Sequence, residues 1–284
     1  MHFNALTLIS FLSSLASAGT VPQYSGLRAL WSDDFNGNSG QPPNQGTWNI
    51  ITNMGRVNNE LQTYTGSNSN LQLSGGGTLQ IIPRKSGGAW TSGRIESKAA
   101  FTPQANKLTI FEGVMRLGDG PSGQKQGLWP AFWLLGESIH HGTPWPACGE
   151  LDIMETINGQ FTNYGTVHCG SFPGGACNEP IGRAQTFGVS VNDWHTYRLK
   201  VDRRAPGGNW QDETIQWEVD GQVFHTLRGS DIGEEGVWAT LARSPMFMIL
   251  NVAVGGDWPG APNGATGDGY DSMLEAEYVA VYST

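Results

Sequence analysis

Short runs of alternating apolar and polar residues recur along this chain, each bounded by turn-forming residues. Six read as strands: TLQIIPR at 78–84, KLTIFEGVMRL at 107–117, HTYRLKVD at 195–202, TIQWEVDG at 214–221, MFMILNVAV at 246–254 and AEYVAVYS at 276–283. Their β-branched and aromatic residues suit a pleated, half-buried surface. Asp220-Gly221 joins two such runs and marks a hairpin, because both residues tolerate the positive φ of a tight turn. No stretch repeats its apolar residues at a 3.6-residue period over any length, and neither an internal repeat nor a low-complexity linker interrupts the chain. The pattern predicts a single all-β domain over 19–284, a sandwich or jelly roll of two antiparallel sheets without helices.

One run breaks step. In GELDIMETING (149–159) Glu150 and Asp152 share one face of a strand, with Leu151 and Ile153 on the other. Strict alternation would then place Met154 with the acids and send Glu155 into the core, where an unpaired carboxylate costs roughly several kcal/mol. A helix, turning ~100° per residue, would scatter the three acids. A β-bulge at Ile153–Met154 returns Glu155 to the acid face. The Cα atoms of Glu150 and Glu155 then lie about 13 Å apart. Side chains leaning together would bring the carboxyls to about 5 Å, the spacing of retaining glycosidases. The spacing alone also fits a solvated acidic strand or a three-acid calcium site. Trp129 and Trp133 just upstream and Trp258 downstream favour the glycosidase, because flat aromatic faces suit the apolar faces of sugar rings.

Composition narrows the partner. The 284 residues are 38% hydrophobic, enough for a sizeable core, while 40 glycines suit a chain of many turns. A net charge of −9 with no Lys/Arg run argues against a nucleic-acid partner and suits a neutral polymer. The apolar stretch from Phe3 to Leu15, followed by Ala16-Ser17-Ala18, reads as a secretory signal at 1–18. It is too short to span a membrane, so a secreted, extracellular protein is expected, with no membrane partner. Export permits disulfides. Cys169 and Cys177 flank a glycine- and proline-rich loop and are the favoured pair, leaving Cys148 a free buried thiol; Cys148 with Cys169 is the rival pairing. A zinc site from Cys148, His168 and Cys169 matches no zinc spacing.

GELDIME, GLWPAFWLL, SGRIESK and LNVAVGGDWPG together resemble the glycoside hydrolase family 16 endo-β-1,3-glucanases of the fungal secreted type. The likeness runs from WSDDFNG (31–37) to EYVAVYST (277–284). The six-residue form Glu-Leu-Asp-Ile-Met-Glu resembles the laminarinase-like branch; the lichenase branch has a shorter motif without the bulge. The resemblance implies a curved jelly-roll sandwich with an open cleft on its concave face. It implies Glu150 as nucleophile, Glu155 as general acid/base and Asp152 as assisting carboxylate. Trp129 and Trp133 would line the cleft, with Arg94 and Asn59 bonding sugar hydroxyls. His168 would stand beside the acid/base, steadying Glu155 or binding a hydroxyl. Trp258 would serve the cleft or cap the core below it.

Blander roles exist for several of these residues. Arg94 also reads as half of a surface ion pair with Glu96, His168 as a structural histidine, and Asn59 as part of a plain loop. The chemistry asks for no metal or organic cofactor. The family's structural calcium uses an Asp before a Tyr in the last strand; here that position is Glu277, before Tyr278, so calcium is not part of the expectation. The expected protein is a monomeric hydrolase whose partner is a β-glucan polysaccharide. A transglycosylase with the same residues and a non-catalytic β-glucan-binding lectin are the rivals.

Overall fold

Backbone ladders gather the strands into two large antiparallel sheets and a small three-stranded one. The computed structural model describes residues 20–52 and 54–284, so the predicted leader at 1–18 lies outside the described residues. The seven-stranded sheet runs in the order Arg183–Gly188, Thr162–His168, Glu150–Glu155, Leu128–Gly136, Met246–Val254, Arg94–Phe101 and Trp48–Ile50. The eight-stranded sheet is built around Leu108–Leu117, flanked by His195–Asp202 and Leu274–Ser283. The acid-bearing strand is therefore interior to its sheet, paired on both sides.

Period-two alternation explains the layers. Phe132, Leu134, Leu151, Ile153, Met154 and Leu250 point inward from the seven-stranded sheet. They meet Phe111, Leu199, Ile215, Trp217, Val279 and Val281 from the eight-stranded one. Each such side chain contributes about 1.5–3 kcal/mol of burial. The alternate residues Tyr278, Ala280 and Tyr282 face out of the eight-stranded sheet and are covered by Val21, Tyr24 and Leu27.

The predicted strands are present, with one division. TLQIIPR separates into Leu79–Ile81 and Arg84–Ser86, because Pro83 has no N–H to continue the ladder. Asp220 (φ 50°) and Gly221 (φ 83°) turn the chain between Thr214–Val219 and Gln222–Arg228, both left-handed as the hairpin requires. The expectation of no helices needs correction. Gly229–Ile232 and Glu235–Ala242 are helical, the second burying Trp238, Leu241 and Ala242. Two turns hold too few residues for a 3.6 period to stand out in sequence. No helix among the described residues is long and apolar enough to cross a membrane.

Cys169 and Cys177 form the disulfide, and Cys148 is a buried free thiol beside Leu135, Phe247 and Ile249. The loop closed by that disulfide follows directly on the Thr162–His168 strand, next to the acid-bearing one.

Candidate active site

The break in alternation is a bulge. Phe132 pairs with Met154 and Trp133 with Asp152, leaving Ile153 with no opposite residue. Leu151, Ile153 and Met154 all enter the core, while Glu155 takes a hydrogen bond from Trp129 and Asp152 approaches His168 on the outer face. A bulge frees ladder groups, and buried ladder groups need partners. Trp217 reaches from the opposite sheet to donate its indole N–H to the Asp152 carbonyl at 2.7 Å. The neighbouring strand pairs regularly only from Glu150–His168 to Asp152–Thr166. Beyond that point the Asn163 side chain takes over, accepting from the Glu155 N–H (3.0 Å) and donating to the Ile153 carbonyl (3.2 Å). Neither Asn163 nor Trp217 was singled out from sequence. A lone Asn amid β-formers was the available signal.

Indoles line the Glu155 end. Trp129 Nε1–H donates to Glu155 Oε1 at 2.7 Å, and its ring meets Trp258 edge-on at 5.5 Å. Trp258 also meets Tyr164 edge-on at 4.9 Å and is 41% exposed, so it stands at the surface beside Trp129 and does not cap the core. Asn59 donates to Asp257 at 2.7 Å, tying two loops together beside Trp258. Trp133 Nε1–H donates to Asn251 Oδ1 at 2.7 Å, and Asn251 Nδ2 donates to the Tyr64 hydroxyl at 3.2 Å. The Arg94 guanidinium lies 5.0 Å from the Trp133 ring centroid and bonds Glu96 Oε1 at 2.7 and 2.9 Å. That ion pair is not a surface one, for Arg94 is only 6% exposed.

His168 stands elsewhere than expected. Antiparallel register places it opposite Glu150, at the far end of the acid row from Glu155. Its Nε2 lies 3.9 Å from Glu150 Oε1 and 3.7 Å from Asp152 Oδ2. Its Nδ1 bonds Glu179 Oε2 at 2.8 Å, and Glu179 Oε1 accepts from the Cys169 N–H at 2.8 Å. Paired backbone bonds between Gly174 and Glu179 close that loop around the carboxylate. Trp145 leans over the imidazole, ring centroids 5.5 Å apart. Glu179 and Trp145 carry no local motif and were not foreseen.

Burial sets the electrostatics. It pushes the carboxyls of Glu150, Asp152 and Glu155 all above the ordinary range. For Glu150 the charges of Glu155 and Glu179 push further the same way, while Arg94 and Trp145 oppose. For Glu155 the Trp129 hydrogen bond opposes the rise. Three like charges in so dry a row do not all persist near neutrality, so the row retains a proton for acid catalysis, and its titration belongs to the row as a whole.

A two-sheet jelly roll bearing a carboxyl row flanked by indoles on one sheet face defines a glycoside hydrolase. The chain belongs to glycoside hydrolase family 16: the family profile described as "XgeA-like, catalytic GH16 domain" matches residues 38–215. That span holds Arg94, the acid row and His168; Trp258 lies beyond it. The chain is 32% identical to a beta-glucanase of Rhodothermus marinus over 89% of its own length and 84% of the relative's. It is 28% identical to glucan endo-1,3-beta-glucosidase A1 of Niallia circulans, over 93% of its length but only 39% of that longer protein. In three dimensions it resembles an endo-1,3-beta-glucanase from Streptomyces sioyaensis, with a TM-score of 0.86 and 33% identity. That match covers 93% of this chain and 99% of the other.

Proposed function

We propose that this chain is a secreted, retaining endo-β-1,3-glucanase that cleaves laminarin-type glucan and also accepts mixed-linkage β-1,3-1,4-glucan. The observation that carries the reading is the bulged strand, which keeps Glu150, Asp152 and Glu155 out of the core and beside Trp129 and Trp133. The named activities of the relatives point the same way. Protonated Glu155 donates to the glycosidic oxygen while Glu150 attacks the anomeric carbon, giving a covalent glycosyl-enzyme. Glu155 then takes a proton from the incoming water. Asp152, between them, modulates the charge on both. Trp129, Trp133 and Trp258 stack on sugar rings, and Arg94 and Asn59 address hydroxyls at the cleft wall and rim. The fungal type within the family rests on the sequence motifs; export rests on the apolar leader. The protein works as a monomer.

Glu150→Gln tests the assignment. Release of reducing ends from laminarin should fall by about a thousandfold or more, with the circular dichroism spectrum unchanged. Full activity in that variant overturns the nucleophile assignment. Sizing the products from β-1,3-oligosaccharides separates hydrolysis, which gives only shorter chains, from transfer, which also gives longer ones.

A further inference from the structure

At the Glu150 end of the acid row three potential ligand atoms converge, and no side chain donates a hydrogen bond to one of them, Asp152 Oδ2. Glu150, Asp152 and His168 each offer one ligand atom, all within 4.8 Å of one another. A carboxylate only accepts, so the bond from His168 Nδ1 to Glu179 places the imidazole proton on Nδ1. That leaves the Nε2 lone pair facing Asp152 Oδ2 and Glu150 Oε1 at 3.7 and 3.9 Å, too far for hydrogen bonds. Asp152 Oδ2 is buried and has no hydrogen-bond partner, in a residue only 3% exposed. An orphaned carboxylate oxygen in so dry a place is costly, and a positive ion between the three atoms would relieve it.

We propose that Glu150, Asp152 and His168 form a binding site for a divalent transition-metal ion, with Zn²⁺ as the type, and that the bound ion blocks glucan cleavage. One imidazole nitrogen and two carboxylate oxygens suit zinc, copper or nickel; magnesium and calcium demand more oxygen ligands than the two offered. Bonds of about 2.0–2.2 Å in a tetrahedral arrangement bring ligand atoms to about 3.4 Å from one another, so the two His168 distances of 3.7 and 3.9 Å contract by a few tenths of an ångström and the Glu150–Asp152 pair, within 4.8 Å, by up to about 1.4 Å. The fourth position stays open to water. Glu179 completes a carboxylate–histidine–metal arrangement, the support that fixes ring orientation in many zinc sites. Glu155 and Glu179 add negative charge around the ion, and Arg94 opposes it. The blocking effect rests on the role proposed for Glu150; the binding does not.

Calorimetry on the chelator-treated protein with zinc chloride should show one ion bound per chain. In parallel, zinc should suppress laminarin cleavage, with EDTA restoring it. His168→Gln and Glu179→Gln should each weaken zinc binding at least tenfold, and this readout needs no activity. Cobalt(II) should give the visible absorption of a tetrahedral site in the wild type and lose it in both variants, with folding checked by circular dichroism. His141, which bonds Glu137, and His195, which pairs with Asp220, are competing surface sites. His141→Ala should leave zinc binding unchanged. The proposal is overturned by absence of zinc binding, by zinc binding undiminished in His168→Gln, or by equal inhibition with magnesium. Zinc bound at His168 with undiminished laminarin cleavage overturns the blocking effect, and Glu150→Gln reads the nucleophile role separately.

Discussion

Glu155 accepts the Trp129 indole N–H at 2.7 Å, and that bond favours its ionised form against the upward push of burial. Trp129→Phe keeps an aromatic ring, smaller than the indole, and removes the donor. The Glu155 carboxyl then holds its proton to higher pH, so the alkaline limb of kcat/KM, which reports loss of the acid's proton, should move upward. A pH–rate profile on laminarin checks this; an unmoved or lowered limb contradicts it. At this scale the sequence was most informative where chemistry depends on spacing along one strand. Glu150, Asp152 and Glu155 were legible because a period of two makes an extra residue visible. His168 was only half legible, since its register against Glu150 is a property of strand pairing. Glu179 and Trp145 were not legible, because a disulfide-closed loop and a tertiary contact bring them in.

The bulge is the element on which the site depends, and its support comes from side chains on two other strands. Asn163→Ala leaves the Ile153 carbonyl and the Glu155 N–H without partners in a buried place. The expected loss of stability is about 1–3 kcal/mol, measured by urea unfolding. The same substitution loosens Glu155, so kcat should drop at least about tenfold with KM little changed. A variant as active and as stable as the wild type would show that the bulge is held by the Trp217 bond and core packing alone. The alternating strands were readable in sequence because half-buried sheets impose that pattern. The Glu235–Ala242 helix was not, being two turns long and fixed by Trp238, whose indole N–H bonds Glu213 at 2.7 Å.

For the whole molecule, the two-sheet plan followed from alternation, whereas strand order did not. The Leu128–Gly136 strand pairs with Met246–Val254, far away in sequence, and only tertiary packing selects that neighbour. Loops at the sheet ends must then be fastened, and one fastening is a buried cation. Lys125 is 2% exposed and donates to the Gly118 carbonyl at 2.6 Å, within its own connection, and to Asn192 Oδ1 at 2.8 Å, joining two connections. Burial lowers its pKa from 10.5 to about 8, with Asp119 and Asp271 opposing. Between those values the unfolded chain holds a proton that the folded chain has released, so this residue's contribution to stability rises with pH across the window. Below pH 8 both states are charged and the burial cost is carried in full. Lys125→Met has no such titration. The stability of the wild type relative to Lys125→Met should therefore climb from about pH 8 toward pH 10.5, read as unfolding midpoints in urea at each pH. All other titratable groups are common to both proteins and cancel in the difference. A flat difference would mean that the ammonium remains charged in its buried position and that its two hydrogen bonds compensate for its burial.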